Sequence, residues 1–238
     1  SDEAVEPVTE APANGSLKPV IDIIPAAAYD NPTWKGLAYF GRDLVIYGLV
    51  VWGLIVVTNP FAVLGLEILA ALSVTSLFVV AHDSAHGALF RSKRLNSIVG
   101  HIAMLPSWHV FEGWILGHNR AHHAYTVRQG YDFVWHPYTA EDYAALGPLG
   151  RLRHRFEWSW AGAGAYYIRE VWMSKMMTGE PPARWRKAIR RDRVVVYAFI
   201  ATMIVKTRHR GRWLLDFLSW LPWSIPGILL GMALLWTF

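Results

Sequence analysis

Two short histidine clusters carry the most specific chemistry in this sequence: His82-Asp-Ser-Ala-His86 and His118-Asn-Arg-Ala-His122-His123. Histidines four apart on a helix share one face about a turn apart, so their imidazoles can converge on one cation. On an ideal helix His123 points about 100° away from His122, which suits it to a second, neighbouring metal. The spacing therefore predicts a dinuclear site on His82, His86, His118, His122 and His123. The chain has no cysteine, which excludes thiolate metal sites, iron–sulfur clusters, cysteine nucleophiles and disulfides. Imidazole ligands suit Zn, Cu, Fe and Ni. A zinc hydrolase of the HExxH kind would need a glutamate base inside the motif, and neither cluster contains one. Redox iron is the expectation.

A lone histidine is more often an ordinary surface or core residue, and His101, His109, His136, His154 and His209 are read that way. The two clusters are read as ligands because both lie at the edge of hydrophobic segments, where an unpartnered polar side chain is costly. Asp83 and Asn119 adjoin predicted ligands; they could orient them or simply be solvated.

The elements that must position these clusters are membrane-like. The 238 residues are 53% hydrophobic with 13 Trp and a mean hydropathy of +0.22, too oily and aromatic for an ordinary soluble domain. Residues 41–58 and 61–80 form two apolar runs separated by Asn59-Pro60, each about 27–30 Å long as a helix. His82 follows the second run at once. The turn between the runs has no basic residue whereas both outer flanks do, which predicts the turn outside and His82 inside the cell. From His82 to Arg193 there are 16 Lys/Arg against 9 Asp/Glu, in the segment that also holds nine of the ten histidines. Residues 194–205 and 213–238 are read as a second helical pair. The Trp- and Arg-rich stretches between about 90 and 190 are read as interfacial helices, with Arg and Lys reaching to headgroups. The expected fold is thus an all-α integral membrane protein of about four transmembrane helices, interfacial helices and a cytoplasmic, histidine-rich metal-binding cap. Residues 1–34 hold one Lys against six acids and no hydrophobic periodicity, so a flexible acidic Ala/Pro-rich tail is expected there, with one membrane domain over 35–238. Glu67, inside the second run, lies roughly 22 Å from His82 along a helix and cannot share its metal.

HDSAHGALF (82–90), LNSIVG (95–100), GHNRAHHAYT (117–126) and DFVWHPYTAEDYAAL (132–146) resemble the first two histidine boxes and following loop of the bacterial membrane fatty acid desaturases, nearest the ω-6/Δ12 acyl-lipid type. The resemblance covers about residues 40–238. By that likeness His82, His86, His118, His122 and His123 match family di-iron ligands. The family also carries a third box, HxxHH, which does not occur in these 238 residues. The last residues are still apolar, so the expectation is a chain truncated before that box and inactive on its own.

The resemblance implies O2-dependent desaturation of a fatty acyl chain: two iron ions reduced by an external donor, with removal of two hydrogens to leave a cis double bond and water. It implies an acyl-lipid or acyl-thioester substrate, a ferredoxin-like or cytochrome-like electron donor, and a bacterial inner-membrane location with the metal site on the cytoplasmic face. Arg184, Arg186, Lys187, Arg190, Arg191 and Arg193 could dock the donor, although headgroup contact explains them as well. Membrane di-iron hydroxylases and carotenoid ketolases share such boxes, and a non-catalytic membrane protein binding metal or heme is a further alternative. Nucleic-acid binding is not expected, since no recognition motif accompanies the basic residues.

Overall fold

In the computed structural model, the described residues are 18–126, 128, 130–134 and 138–206, and all their regular elements are helical. A short helix α1 (Lys18–Asp22) and a 3-10 turn (Ala26–Tyr29) precede two long helices, α2 (Thr33–Val56) and α3 (Pro60–Ala85). Then come α4 (Lys93–Met104), α5 (Phe111–Trp114), a π-helix (Ile115–His122) and α6 (His123–Tyr125). The last group is α7 (Ala140–Ala145), α8 (Pro148–Glu157), α9 (Ala163–Tyr166), a second π-helix (Tyr167–Met177) and α10 (Arg186–Lys206).

Helices α2 and α3 are each long enough to cross a hydrocarbon core, and only 17% of the most apolar window of either is buried. The core helix of a soluble protein would be mostly buried. Here Leu49, Trp52, Leu64 and Leu72 instead face outward. The reversal between the helices is set locally. Asn59 caps α3 by accepting from the Phe61 and Ala62 N–H groups, and Pro60 supplies a pre-set φ where no N–H is needed. Farther along the pair, buried Asp43 of α2 accepts hydrogen bonds from the Ser76 hydroxyl of α3 (2.6 Å) and from Arg42 (2.7 Å). A carboxylate so placed must be paired, and the pairing fixes the register of α3 against α2. Two helices long and apolar enough to cross a membrane are thus present among the described residues. The run 194–205 lies within α10, and 213–238 lies outside the described residues, as do residues 1–17.

The core gathers where α3 ends. Leu77, Val80 and Ala81 of α3 pack with Val99, Ala103 and Met104 of α4, Phe111 and Trp114 of α5, and Trp172 and Met176 of the second π-helix. The 95–100 stretch has two structural duties here. Asn96 clamps the preceding loop, accepting from the Phe90 N–H and donating to the Phe90 and Ser92 carbonyls. Gly100 admits Phe111, whose ring carbons would lie 2.3 Å from any Cβ at that position.

Asp192, buried in α10, joins three helices. Its Oδ2 accepts from His101 Nε2 of α4 (3.2 Å) and from the Glu112 N–H of α5 (3.1 Å), while Arg191 donates to Oδ1. His101 Nδ1 faces the Ser97 carbonyl (2.6 Å), so both ring nitrogens meet acceptors, an arrangement that favours the protonated ring. Burial opposes that charge, but the hydrogen bonds to Asp192 and Ser97 prevail and raise the His101 pKa above its ordinary value. Burial likewise opposes the Asp192 carboxylate, and its bonds to His101 and the Glu112 amide hold its pKa below the usual range. The stabilisation from His101 is therefore full below its unfolded pKa and lost as pH rises through its higher folded pKa. Thermal unfolding of the detergent-solubilised protein should show stability falling as pH rises above the ordinary histidine pKa, with His101→Gln flattening that dependence. An unchanged pH dependence in the variant would contradict the assignment.

Candidate metal centre

His82 lies in the last turn of α3 and His86 ends the helix, its N–H still bonded to the His82 carbonyl. The second cluster rides on the run from α5 into α6, where Ile115–His122 winds as a π-helix. Hydrogen bonds from i to i+5 widen the turn, so side chains five apart come nearer to one face than they would on an α-helix. His118 therefore pairs with His123: their Nε2 atoms are 2.9 Å apart and the ring centroids 4.5 Å, against 5.5 Å for His118 and His122. The expected α-helix is here a π-helix, in which His118 meets His123 as well as lying near His122.

The two clusters meet. Ligand nitrogens of His82, His86 and His118 all lie within 4.8 Å of one another, and the His123 ring sits 5.0 Å from that of His86. Trp114 stacks on His118 at 4.0 Å with planes 22° apart and meets the edge of His82, backing the group from below. Asn119 ties the π-helix to the end of α3 by donating to the Ala85 carbonyl (2.8 Å). Its Oδ1 is buried with no hydrogen-bond partner among the described residues. An acceptor left bare beside a set of histidines suits a site whose charge is positive.

His122 stands at the margin of the group. Its Nδ1 donates to Asp132 Oδ2 (2.9 Å), and Asp132 is fully buried, its Oδ1 accepting from the Val134 N–H. A carboxylate on Nδ1 fixes the tautomer and leaves the Nε2 lone pair free. Asp83 stands in the same relation to His82, at 3.1 Å from Nδ1. Asp132 received no role in the sequence reading. Its signal is a lone carboxylate in the turn ten residues after His122, which becomes meaningful only once the chain is seen to fold back.

Burial and the neighbouring rings disfavour the charged forms of His118, His86 and His123. Burial, and then the neighbouring histidines His123, His82, His122 and His86, push the His118 pKa down to about 2. Burial also lowers His86, with His82 and His123 adding to it, and lowers His123, with His122 and His82 adding to it. Neutral imidazoles with free lone pairs are the ligating form. The donor set thus fits a divalent transition metal, and His82, His86, His118, His123 and the outlying His122 could hold it.

The remaining histidines have other duties. His101 serves the Asp192 junction, and His154 packs among Tyr138, Tyr143 and Trp158. His136 and His209 lie outside the described residues. His109 is buried in the wall of a cavity of about 750 Å³ that opens beside His82 and His118. The cavity walls are mainly apolar, with Val74, Phe78, Val79, Leu116 and Val171 among them. The Tyr167 hydroxyl donates to His109 Nε2, and His109 Nδ1 donates to the Ser107 carbonyl, each at 2.9 Å. Burial pushes His109 down to about 3 and the Tyr167 phenol upward, so the pair brings no charge into the cavity. A space of this size and lining suits a largely apolar ligand.

The fatty acid desaturase family pattern matches residues 58–238. An sn-1 oleoyl-lipid 12-desaturase of Anabaena variabilis is 26% identical over 214 residues, which are 86% of this chain and 59% of that protein. A second sn-1 oleoyl-lipid 12-desaturase, from Picosynechococcus sp., is 32% identical over 55% of this chain and 37% of its own length. An sn-1 acyl-lipid omega-3 desaturase (ferredoxin) of Nostoc sp. is 31% identical over 65% of this chain and 42% of its own. The chain thus spans between about a third and three-fifths of the length of these relatives. With most of its length matched and its histidines gathered as described, the chain belongs to the fatty acid desaturase family.

Proposed function

We propose that the protein of which these residues form part desaturates a fatty acyl chain at a histidine-held di-iron centre, using O2 and electrons from an external donor. The observation that carries this reading is the meeting of imidazoles from two helices at the mouth of an apolar cavity. His82, His86, His118, His122 and His123 are the proposed ligands among these residues. A saturated chain offers neither an acidic proton nor an electrophilic carbon, so no side chain of the cavity can dehydrogenate it by acid–base or nucleophilic chemistry. When bound and reduced, the iron supplies O2 activation and the removal of two hydrogens. The residues do the rest. Phe78, Val79 and Leu116 exclude water and hold one methylene pair beside His82 and His118, and the neutral His109–Tyr167 pair lines the cavity without a charge that an alkyl chain would have to desolvate. Asp132 and Asp83 hold the tautomers of His122 and His82.

The proposed setting is a bacterial inner membrane crossed by about four helices, with interfacial helices and the metal site on the cytoplasmic face. The relatives named for ferredoxin and for oleoyl lipid support a ferredoxin-like donor and an acyl-lipid substrate. Expressed in cells that lack polyunsaturated lipids, the parent gene product should introduce cis double bonds readable by gas chromatography of fatty acid esters. New hydroxyl or keto groups would indicate the hydroxylase or ketolase reading, and an unchanged lipid profile with metal bound would indicate a non-catalytic metal protein.

Two further outcomes follow from the geometry. Asp132→Asn should weaken iron retention about 10- to 100-fold, because the amide can present its N–H to Nδ1 and release the His122 tautomer. Iron content after graded chelation checks this, and wild-type retention in the variant would remove Asp132 from the site. A cysteine introduced at Asn59 should react with impermeant maleimide from the periplasmic side only, and labelling from the cytoplasmic side alone would invert the topology.

A further inference from the structure

Helix α8 carries an exposed apolar stripe that no described residue covers. Leu149, Leu152 and Phe156 follow one another at helical spacing and are 79%, 65% and 52% exposed, and Trp160 just beyond is 72% exposed. Arg153 stands along one edge of the stripe and Arg155 along the other, with Arg151 farther round the helix; Arg153 also lies 4.0 Å from the Glu157 carboxylate. The helix has three arginines and one acid, Glu157, which is buried and held by Arg169 through both carboxylate oxygens (2.8 and 2.7 Å). Glu157 and His154 thus turn inward, and the outward face is apolar in the middle and positive at its rims.

The arginines are also aimed by the protein. Arg151 donates to the Ala144 carbonyl and Arg155 to the Tyr143 hydroxyl, so both are fastened to α7 rather than sweeping freely. An apolar stripe between positive borders matches the boundary between acyl chains and anionic headgroups: the stripe enters the hydrocarbon edge while guanidinium groups meet phosphates. We infer that α8 is a lipid-surface foot that seats the histidine-bearing part of the molecule on a bilayer rich in anionic lipid. The inference rests on the membrane reading given above and not on the chemistry at the metal.

These 238 residues contain no cysteine, and any cysteine elsewhere in the complete protein is first replaced by serine. Single cysteines at Leu152, at Glu141 on α7 and at Trp52 on α2 are labelled with an environment-sensitive fluorophore in the complete protein, reconstituted into phosphatidylcholine vesicles with and without phosphatidylglycerol. The Leu152 probe should be quenched by nitroxide-bearing lipids and shifted to the blue, at least twofold more strongly when phosphatidylglycerol is present. The Glu141 probe should stay accessible to aqueous iodide. Replacing Arg151, Arg153 and Arg155 by Gln should abolish the dependence on anionic lipid, and replacing them by Lys should retain it. A Leu152 probe open to iodide in both membranes overturns the inference. So does one shielded from iodide yet not quenched by lipid, since a second copy or another part of the chain then covers the face. Lipid quenching at Trp52 separates the two readings: its loss refutes the membrane placement itself, while its presence without quenching at Leu152 refutes only the foot.

Discussion

Imidazoles packed against one another tolerate protons poorly. Two imidazolium charges about 5 Å apart in a half-buried site would repel by on the order of 3 kcal/mol, so each ring protonated makes the next proton harder to add. The rest of the structure follows from that constraint. The rings must be shielded enough to stay unprotonated yet share their lone pairs with something, and a bound divalent cation satisfies both demands at once. Trp114 provides the apolar backing, Asp132 and Asp83 fix the tautomers from outside, and Asn119 holds the two helical segments in register.

The π-helix is the device that lets this happen on one short stretch. A regular α-helix would send His122 with His118 and leave His123 to one side; the wider turn brings His118 and His123 together and frees His122 for Asp132. The junction at Asp192 then anchors the start of the same stretch, because the Glu112 amide it accepts from belongs to α5, directly ahead of the π-helix. Packing in the molecule therefore converges on where residues 118–123 sit.

Much of this was legible in the sequence. The two apolar runs announced α2 and α3, and Asn59-Pro60 announced the turn, since both follow from local hydropathy and capping chemistry. The five clustered histidines stood out by spacing, and the four-residue rule was adequate for His82 and His86 on α3. It was inadequate for 118–123, because a π-helix arises from tertiary packing and leaves no periodic signature. Asp132 and the cavity wall at His109 and Tyr167 were hidden for the same reason: their meaning lies in contacts across ten and 58 residues of sequence. His101 was read as ordinary, whereas the fold places it opposite Asp192, some ninety residues away. The stripe on α8 was visible only as part of a general tendency to interfacial helices, until the inward turn of Glu157 and His154 showed which face remained outside.

The central claim is that these histidines hold a pair of iron ions. Mössbauer spectroscopy of the purified parent protein loaded with 57Fe tests it most directly. The account predicts two irons per chain with spectra of an exchange-coupled, nitrogen- and oxygen-ligated pair, and loss of that signal in a His86→Ala, His118→Ala double variant that still inserts in the membrane. A single uncoupled iron, or a spectrum that survives the double substitution, would contradict it.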